Sequence, residues 1–124
     1  MKTSFWHIGA GFALLGLASL ACAEFPDRPV TLVVPFAAGG PSDTIARDLA
    51  EAMRKPLGQT VIIQNLGGAG GTIGSARVAH ATPDGYTLLV NHIGMATAPA
   101  LYRNLSDKVP DDFAFRGSIA QQPY

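Results

Sequence analysis

The sequence predicts an α/β fold in which a parallel sheet lies between layers of helices, giving three layers in all. Three short apolar runs, Val30–Pro35, Thr60–Asn65 and Tyr86–Asn91, are rich in β-branched residues and almost continuously hydrophobic. Such runs are typical of parallel strands that are covered on both faces. Segments with helical periodicity alternate with them, and this β-α-β-α-β-α order favours parallel strands joined by crossovers.

The segment between the first two predicted strands, residues 42–58, has the pattern of an amphipathic helix. The predicted apolar stripe consists of Ile45, Leu49 and Met53. Ser42 or Asp43 is expected to cap the start of this helix, and Gly58 is expected to end it.

The remaining elements follow the same alternation. A second helix is predicted from Thr72 to Ala81, and Pro83-Asp84-Gly85 forms the turn into the third strand. A third helix is predicted over Met95–Tyr102, and Phe113–Ala120 is predicted to form a fourth strand. We expect the first strand to be central between the second and third, because this order brings the first two glycine loops together.

The first 23 residues have the organisation of a secretory signal peptide. Lys2 provides the positive start, and the uncharged apolar run Ile8–Leu20 follows. Ala21 and Ala23 then have the spacing that a signal peptidase recognises. The run of about 13 residues is shorter than the roughly 20 that a membrane span needs. We therefore predict cleavage after Ala23, with a retained N-terminal anchor as the alternative.

Cys22 is the only cysteine and raises the possibility of a lipoprotein. A lipoprotein signal usually has leucine three residues before its cysteine, but Ser19 occupies that position here. Lipid attachment is therefore the less favoured hypothesis. Cleavage after Ala23 would leave the mature chain without a thiol.

Composition excludes several classes of partner and cofactor. The 124 residues contain 9 basic and 9 acidic side chains, so no basic face is available to neutralise a row of phosphates, and nucleic acid is not an expected partner. The three histidines, His7, His80 and His92, lack the spacing of a metal site. We expect neither a metal nor a cofactor.

Three strand-to-helix loops are predicted to meet at one edge of the sheet. They span residues 36–43, 67–71 and 91–94, and ligands of open α/β sheets bind beyond the carboxyl ends of the strands. Each loop ends at a helix N-terminus, where free backbone N–H groups favour an anion. Glycine allows a ligand to approach the backbone closely. The loops therefore predict a small carboxylate site without a basic side chain, unless the glycines serve only to make tight turns.

Nucleotide-binding motifs do not fit these loops. A dinucleotide site requires G-x-G-x-x-G after the first strand and an acid near the end of the second. The first loop has only the adjacent pair Gly39 and Gly40, and Ile73 interrupts the required spacing in the second. Asn65, not an acid, ends the second strand. The segment PFAAGGPSD also lacks the Lys-Ser/Thr ending of a P-loop.

An enzyme remains as the alternative function. Ser42 and His92 both belong to the loop edge, whereas His80 is predicted late in the second helix, away from that edge. The sequence has no G-x-S-x-G nucleophile elbow. The alternative is thus a small exported α/β hydrolase- or transferase-like domain that uses Ser42 and His92.

Two segments, FPDRPVTLVVPFAAGGPSDTIAR and QTVIIQNLGGAGGTIGSARVAHATPDGYTLLV, resemble the tripartite tricarboxylate transporter receptor family, also called Bug proteins. The resemblance covers about residues 25–105. It implies a periplasmic, non-enzymatic, monomeric receptor with a type II periplasmic-binding-protein (Venus flytrap) fold, of which residues 24–105 form part of the first lobe. It also implies a small carboxylate ligand and membrane permease subunits as partners. Residues 106–124 match the family loosely, and we expect them to be a divergent or truncated tail.

The resemblance also implies which residues contact the ligand. These are Phe36, Ala37, Gly39, Gly40, Ser42 and Asp43 in the first loop, Ala69 and Gly70 in the second, and His92 and Gly94 in the third. An acid beside an anion is unfavourable. Asp43 is therefore expected either to cap the helix or to accept a ligand hydroxyl or ammonium group.

Overall fold

The computed structural model describes residues 24–105 and 111–119, and it has the predicted three-layer α/β architecture. The elements in chain order are β1 (Val30–Val34), α1 (Pro41–Leu57), β2 (Val61–Asn65), a 3-10 turn (Ala69–Gly71), α2 (Thr72–Ala79), β3 (Thr87–Leu89) and α3 (Gly94–Leu101). β1 is central and pairs in parallel with both β2 and β3, which confirms the expected strand order. The predicted signal peptide and Cys22 lie outside the described residues.

β1 is the most deeply buried element of the fold. Val30, Leu32, Val33 and Val34 are each at most 1% exposed. Leu32 and its neighbours on one face of the sheet pack against α1, while α2 lies over the opposite face, beside Thr31. Helices on both faces explain why the strand is hydrophobic at nearly every position instead of at every second one.

The ends of α1 are set by glycine and proline. Gly40 is the N-cap in an extended conformation and Pro41 is the first helical residue, so the predicted caps at Ser42 or Asp43 are wrong. Proline suits this position because its missing N–H would have no helical acceptor there. Gly58 ends the helix with φ of 63°, a left-handed conformation, and confirms the predicted C-cap.

The buried face of α1 differs from the predicted stripe. Ala46 and Ala50 are buried against the sheet, and Leu49 and Met53 pack beside them on the core. Ile45 is 41% exposed, so its assignment to the core stripe is wrong. The helix is rotated so that its smallest side chains face the strands, and this lets the two backbones approach closely.

α2 packs tightly against the beginning of the loops because of one glycine. A Cβ atom at Gly74 would lie 2.7 Å from Leu66 O and 2.8 Å from Pro35 Cβ. α2 ends at Ala79, before the predicted Ala81, and His80 follows as its C-cap. The tight contact fixes the distance between this helix and the ends of β1 and β2.

The predicted fourth strand is wrong over its described residues. Residues 113–119 contain no strand, and Phe115 and Ile119 are 80% and 54% exposed. A strand requires backbone pairing with another strand, and the sheet of the described residues pairs only β1, β2 and β3. Within the same described part of the chain, no helix has both the length and the apolarity to cross a membrane.

Candidate functional site

The three predicted loops do meet at the carboxyl edge of the sheet, and Phe36 joins them. We call them the first loop (residues 35–40), the second loop (residues 66–71) and the third loop (residues 90–93). The Phe36 ring stacks on the imidazole of His92, with centroids 4.5 Å apart and planes 12° from parallel. On the second loop, a Cβ atom at Gly71 would lie 3.3 Å from Cζ of the same ring. One aromatic side chain of the first loop therefore contacts the other two.

The backbones of the first and second loops are also adjacent. A Cβ atom at Gly67 would lie 3.6 Å from Ala37 N, which is ordinary van der Waals contact. The Leu66 N–H donates a hydrogen bond to Val34 O at 2.8 Å and so continues the pairing of β1 with β2 into the loops. The expectation that these two glycine loops lie together is confirmed.

Asp43 holds the first loop against α1. Its carboxylate, in a residue only 2% exposed, accepts hydrogen bonds from Gly39 N at 2.8 Å, from Arg47 Nε at 2.9 Å and from Asn65 Nδ2 at 3.0 Å. Asp43 is the third helical residue, so its negative charge also lies at the positive end of the helix dipole. Asp43 is not the N-cap, and its carboxylate instead holds the loop that precedes the helix.

These contacts keep the Asp43 carboxylate charged. The hydrogen bond from Arg47, followed by those from Gly39 and Asn65, lowers the pKa of Asp43 from 3.8 to about 2. The same hydrogen bond to Asp43 raises the pKa of Arg47. Because Asp43 forms an ion pair with Arg47, its negative charge is compensated.

Two asparagines that sequence reasoning did not assign to the site connect its loops. Asn65 Nδ2 donates to Phe36 O at 3.2 Å as well as to Asp43. Asn91 Nδ2 donates to Ser75 Oγ at 3.1 Å, and its Oδ1 accepts from the backbone N–H of His92 at 2.8 Å. Each asparagine is the last residue of a predicted strand. This recurrence of asparagine at two strand ends is the feature of the sequence that could have assigned both residues to the site.

The second loop requires its glycines for backbone conformation. Gly68, Gly70 and Gly71 have φ of 128°, 64° and 93°, and Ala69 between them has φ of 45°. Side chains disfavour this region of conformational space. The Tyr102 hydroxyl also lies close to Gly70, and a Cβ atom at Gly70 would be only 2.5 Å from that oxygen. The glycines thus make the turn, and the missing side chain at Gly70 lets the Tyr102 hydroxyl approach the backbone closely.

The remaining site residues predicted from the sequence lie on this same edge. Gly40 is the N-cap of α1, Ser42 lies in its first turn, and Gly94 begins α3. In the described part of the chain, the backbone N–H groups of Ala37 and Ala38 have no acceptor, and both residues are exposed. The first loop therefore presents unpaired donors to solvent.

The site is an open surface, not an enclosed cavity. A space of only about 10 Å³ separates the second loop from α3. A larger groove of about 400 Å³ lies on the α2 side of the sheet, lined by residues that include Arg28, Arg77 and Tyr86, and contains none of the predicted site residues. Arg28 in this groove is already ion-paired with Asp84 at 2.7 Å.

Neither catalytic nor metal-binding geometry is present at the loops in the residues described. Ser42 and His92 share no hydrogen bond there, and His92 Nδ1 instead accepts from the Gly94 N–H at 3.0 Å. Across residues 24–105 and 111–119, no three potential ligands among His, Cys, Asp and Glu are grouped as a metal site. Among the described residues, the loops thus offer backbone hydrogen-bond donors, and His92 is hydrogen-bonded to Gly94 and not to Ser42.

Comparison with known proteins gives consistent matches. Residues 45–124 match the model of the family described as tripartite tricarboxylate transporter family receptor. A UPF0065 protein from Agrobacterium vitis, in the TAR-I ttuE-ttuC' intergenic region, is 57% identical over 123 residues, which is 99% of this chain and 36% of the relative. The chain spans about a third of the length of the curated relatives it matches.

Solved structures show the same similarity. The periplasmic binding protein BugD is 60% identical with a TM-score of 0.66, over 68% of this chain and 28% of that one. MatC from Rhodopseudomonas palustris, determined with bound malate, is 53% identical with a TM-score of 0.65, over 68% of this chain and 29% of that one. The similar proteins are solute-binding receptors, and the hydrolase- or transferase-like alternative finds no support among them.

Proposed function

The chain belongs to the tripartite tricarboxylate transporter receptor family, and from this premise we propose that it is a periplasmic solute-binding receptor, or part of one, for small carboxylates. The observation that carries the proposal is the meeting of two glycine loops, with unpaired N–H groups at Ala37 and Ala38, beside the N-terminus of α1. Its membrane permease subunits would receive the ligand. The protein acts as a monomer and catalyses no reaction.

The ligand is a carboxylate because the site offers donors without a free cation. Backbone N–H groups and the helix dipole stabilise one negative charge at close range. Arg47, the cation at the start of α1, is already paired with Asp43. The site residues we propose are Phe36, Ala37, Gly39, Gly40, Ser42, Asp43, Ala69, Gly70, His92 and Gly94. Of these, Asp43 is buried and acts through Gly39. The malate bound to MatC is a ligand of this class.

Titration of the mature chain with di- and tricarboxylates, acidic amino acids and aromatic acids tests this proposal. We expect dissociation constants of about 1 mM or weaker, because binding sites normally cover most of a ligand and these loops cover one side. Amide NMR signals of Ala37, Ala38 and Gly70 should move on addition of malate. Malate diamide is the matched ligand control, and His80→Ala, on the C-cap of α2, is the control variant.

Two results would contradict the proposal. Equal shifts with malate and its diamide would show that the loops do not recognise negative charge. Shifts confined to residues outside the three loops and the first turns of α1 and α3 would place binding elsewhere. Submicromolar affinity would support carboxylate binding but contradict the expected weakness of an open site.

Export is the second part of the proposal, since members of this family include periplasmic binding proteins. We expect mass spectrometry of the protein from the periplasm to give Glu24 as its first residue. Cys22→Ser should leave this mass pattern unchanged except for that substitution in the precursor, whereas Ala21→Leu should block cleavage. A diacylglyceryl group on Cys22 would instead make the protein a lipoprotein.

A further inference from the structure

The imidazole of His92 is held in one orientation by two contacts. Its Nδ1 lies 3.0 Å from the backbone nitrogen of Gly94, and its ring stacks on Phe36 at a centroid distance of 4.5 Å. The approach to Gly94 is close, since a Cβ atom there would lie 3.0 Å from Cε1 of the ring. The ring plane and the Nδ1 position are therefore both defined.

The Gly94 contact also determines the tautomer of the neutral ring. A backbone N–H can only donate, and a neutral imidazole has one N–H and one accepting nitrogen. Nδ1 must therefore carry the lone pair, and the proton must be on Nε2. In the other tautomer, two donors would face each other at 3.0 Å.

His80 provides the opposite case in the same chain. Its Nδ1 lies 2.8 Å from Ala76 O, a carbonyl that can only accept. The proton of neutral His80 is therefore on Nδ1. The two histidines outside the predicted signal peptide thus have opposite tautomers, each set by a backbone group.

From this geometry we propose that His92 is a specificity-determining residue, whose Nε2–H donates a hydrogen bond to an acceptor oxygen of the ligand at the third loop. This inference rests on the proposed function. Nε2 has no partner in the described part of the chain, and His92 is exposed at the loop edge. Nε2 cannot become an acceptor without breaking the Gly94 bond. The third loop therefore selects ligands with a second carboxylate or carbonyl there and rejects those with an ammonium group.

Nitrogen-15 NMR of the imidazole rings tests the tautomer without any ligand. The measurement compares the two rings in their neutral forms. We expect a protonated Nε2 and an unprotonated Nδ1 for His92, and the reverse pattern for His80. A protonated Nδ1 on His92, or a mixture of both tautomers, would overturn the inference.

A binding comparison tests selectivity. His92→Phe keeps an aromatic ring for Phe36 to stack on but removes the donor, and His80→Phe is the matched control. We expect about tenfold weaker binding of a dicarboxylate by His92→Phe, as for the loss of one hydrogen bond. We also expect a smaller preference for a dicarboxylate over an ω-amino acid of equal length. Circular dichroism verifies that both variants are folded.

The outcomes separate this inference from the function on which it rests. If the wild-type chain binds dicarboxylates and His92→Phe binds them equally well, His92 does not select the ligand, and the receptor proposal stands. If the wild-type chain binds no carboxylate, the receptor proposal fails, and the selectivity inference fails with it. The NMR measurement then still reports whether the tautomer was assigned correctly.

Discussion

Asp43→Asn is expected to destabilise the fold at neutral pH and to remove much of its acid sensitivity between about pH 4 and pH 2. The pKa of Asp43 falls from 3.8 to about 2 on folding, chiefly because of the Arg47 hydrogen bond. A lowered pKa means that the stabilisation is fully present above the unfolded value and is lost as pH falls through the folded value. Asparagine cannot carry the charge that Arg47, Gly39 and Asn65 stabilise.

The measurement is the free energy of unfolding in urea as a function of pH. Between about pH 4 and pH 2, proton uptake on unfolding should be larger for the wild-type chain than for Asp43→Asn, by up to about one proton. Asp48→Asn is the matched control, because Asp48 is exposed on the same helix and has no ion pair in the described residues. Equal pH slopes for the wild-type chain and Asp43→Asn would contradict the assigned role.

The same substitution should weaken carboxylate binding. Without the charge on Asp43, the Gly39 N–H loses a charged acceptor, and the first loop is held to α1 less firmly. Ordering a loop on binding costs free energy, and this cost lowers the affinity for the ligand. The malate-induced NMR shifts of Ala37 and Ala38 should therefore require a higher ligand concentration in Asp43→Asn than in Asp48→Asn.

Gly74→Ala is expected to reduce the free energy of unfolding by about 2 kcal/mol. Alanine is intrinsically about 1 kcal/mol better than glycine within a helix. Its Cβ atom, however, would lie 2.7 Å from Leu66 O and 2.9 Å from Pro35 Cα, and these backbone atoms cannot move aside by a change of rotamer. Overpacking of this kind costs about 1–3 kcal/mol. We expect the upper end, because two of the three contacts shorter than 3.0 Å are to backbone atoms, and subtracting the helical gain leaves a net loss of about 2 kcal/mol.

Urea unfolding again provides the measurement, and Gly117→Ala is the control. A Cβ atom at Gly117 would meet nothing within 4 Å, so that variant should be close to the wild-type chain. A loss of about 2 kcal/mol is a large part of the 5–15 kcal/mol that a domain typically has. If Gly74→Ala were as stable as Gly117→Ala, then α2 would not be held against Pro35 and Leu66 as described.

Local sequence patterns predicted the elements well where a single residue type dominates the geometry. The apolar, β-branched runs became β1, β2 and β3, although pairing in β3 is limited to Thr87–Leu89. Gly58 ended α1 as expected because its left-handed conformation is open to glycine at little cost. The predicted fourth strand failed because β-propensity reflects packing of a half-buried surface, and Phe115 is 80% exposed.

Periodicity placed Leu49 and Met53 near the core but misplaced Ile45. A repeat of four residues identifies an apolar side of a helix, and the rotation of that side toward the sheet depends on the surfaces that meet. Here Ala46 and Ala50 face the sheet, because two small residues allow a closer approach than isoleucine would. Such a rotation is decided by packing and not by the pattern within one helix.

The sequence by itself determined that glycine-rich loops follow parallel strands, and hence that they meet at one edge with backbone donors exposed. Only the tertiary structure decided what the polar side chains there do. Asn65 bonds to Asp43 and to Phe36 across separations of 22 and 29 residues, and Phe36 stacks on His92 from another loop. Periodicity and capping rules describe neighbours along the chain, whereas these contacts exist because folding brings distant loops together. For that reason the sequence indicated where the candidate site lies, and the folded chain determined which polar atoms there are hydrogen-bonded to one another.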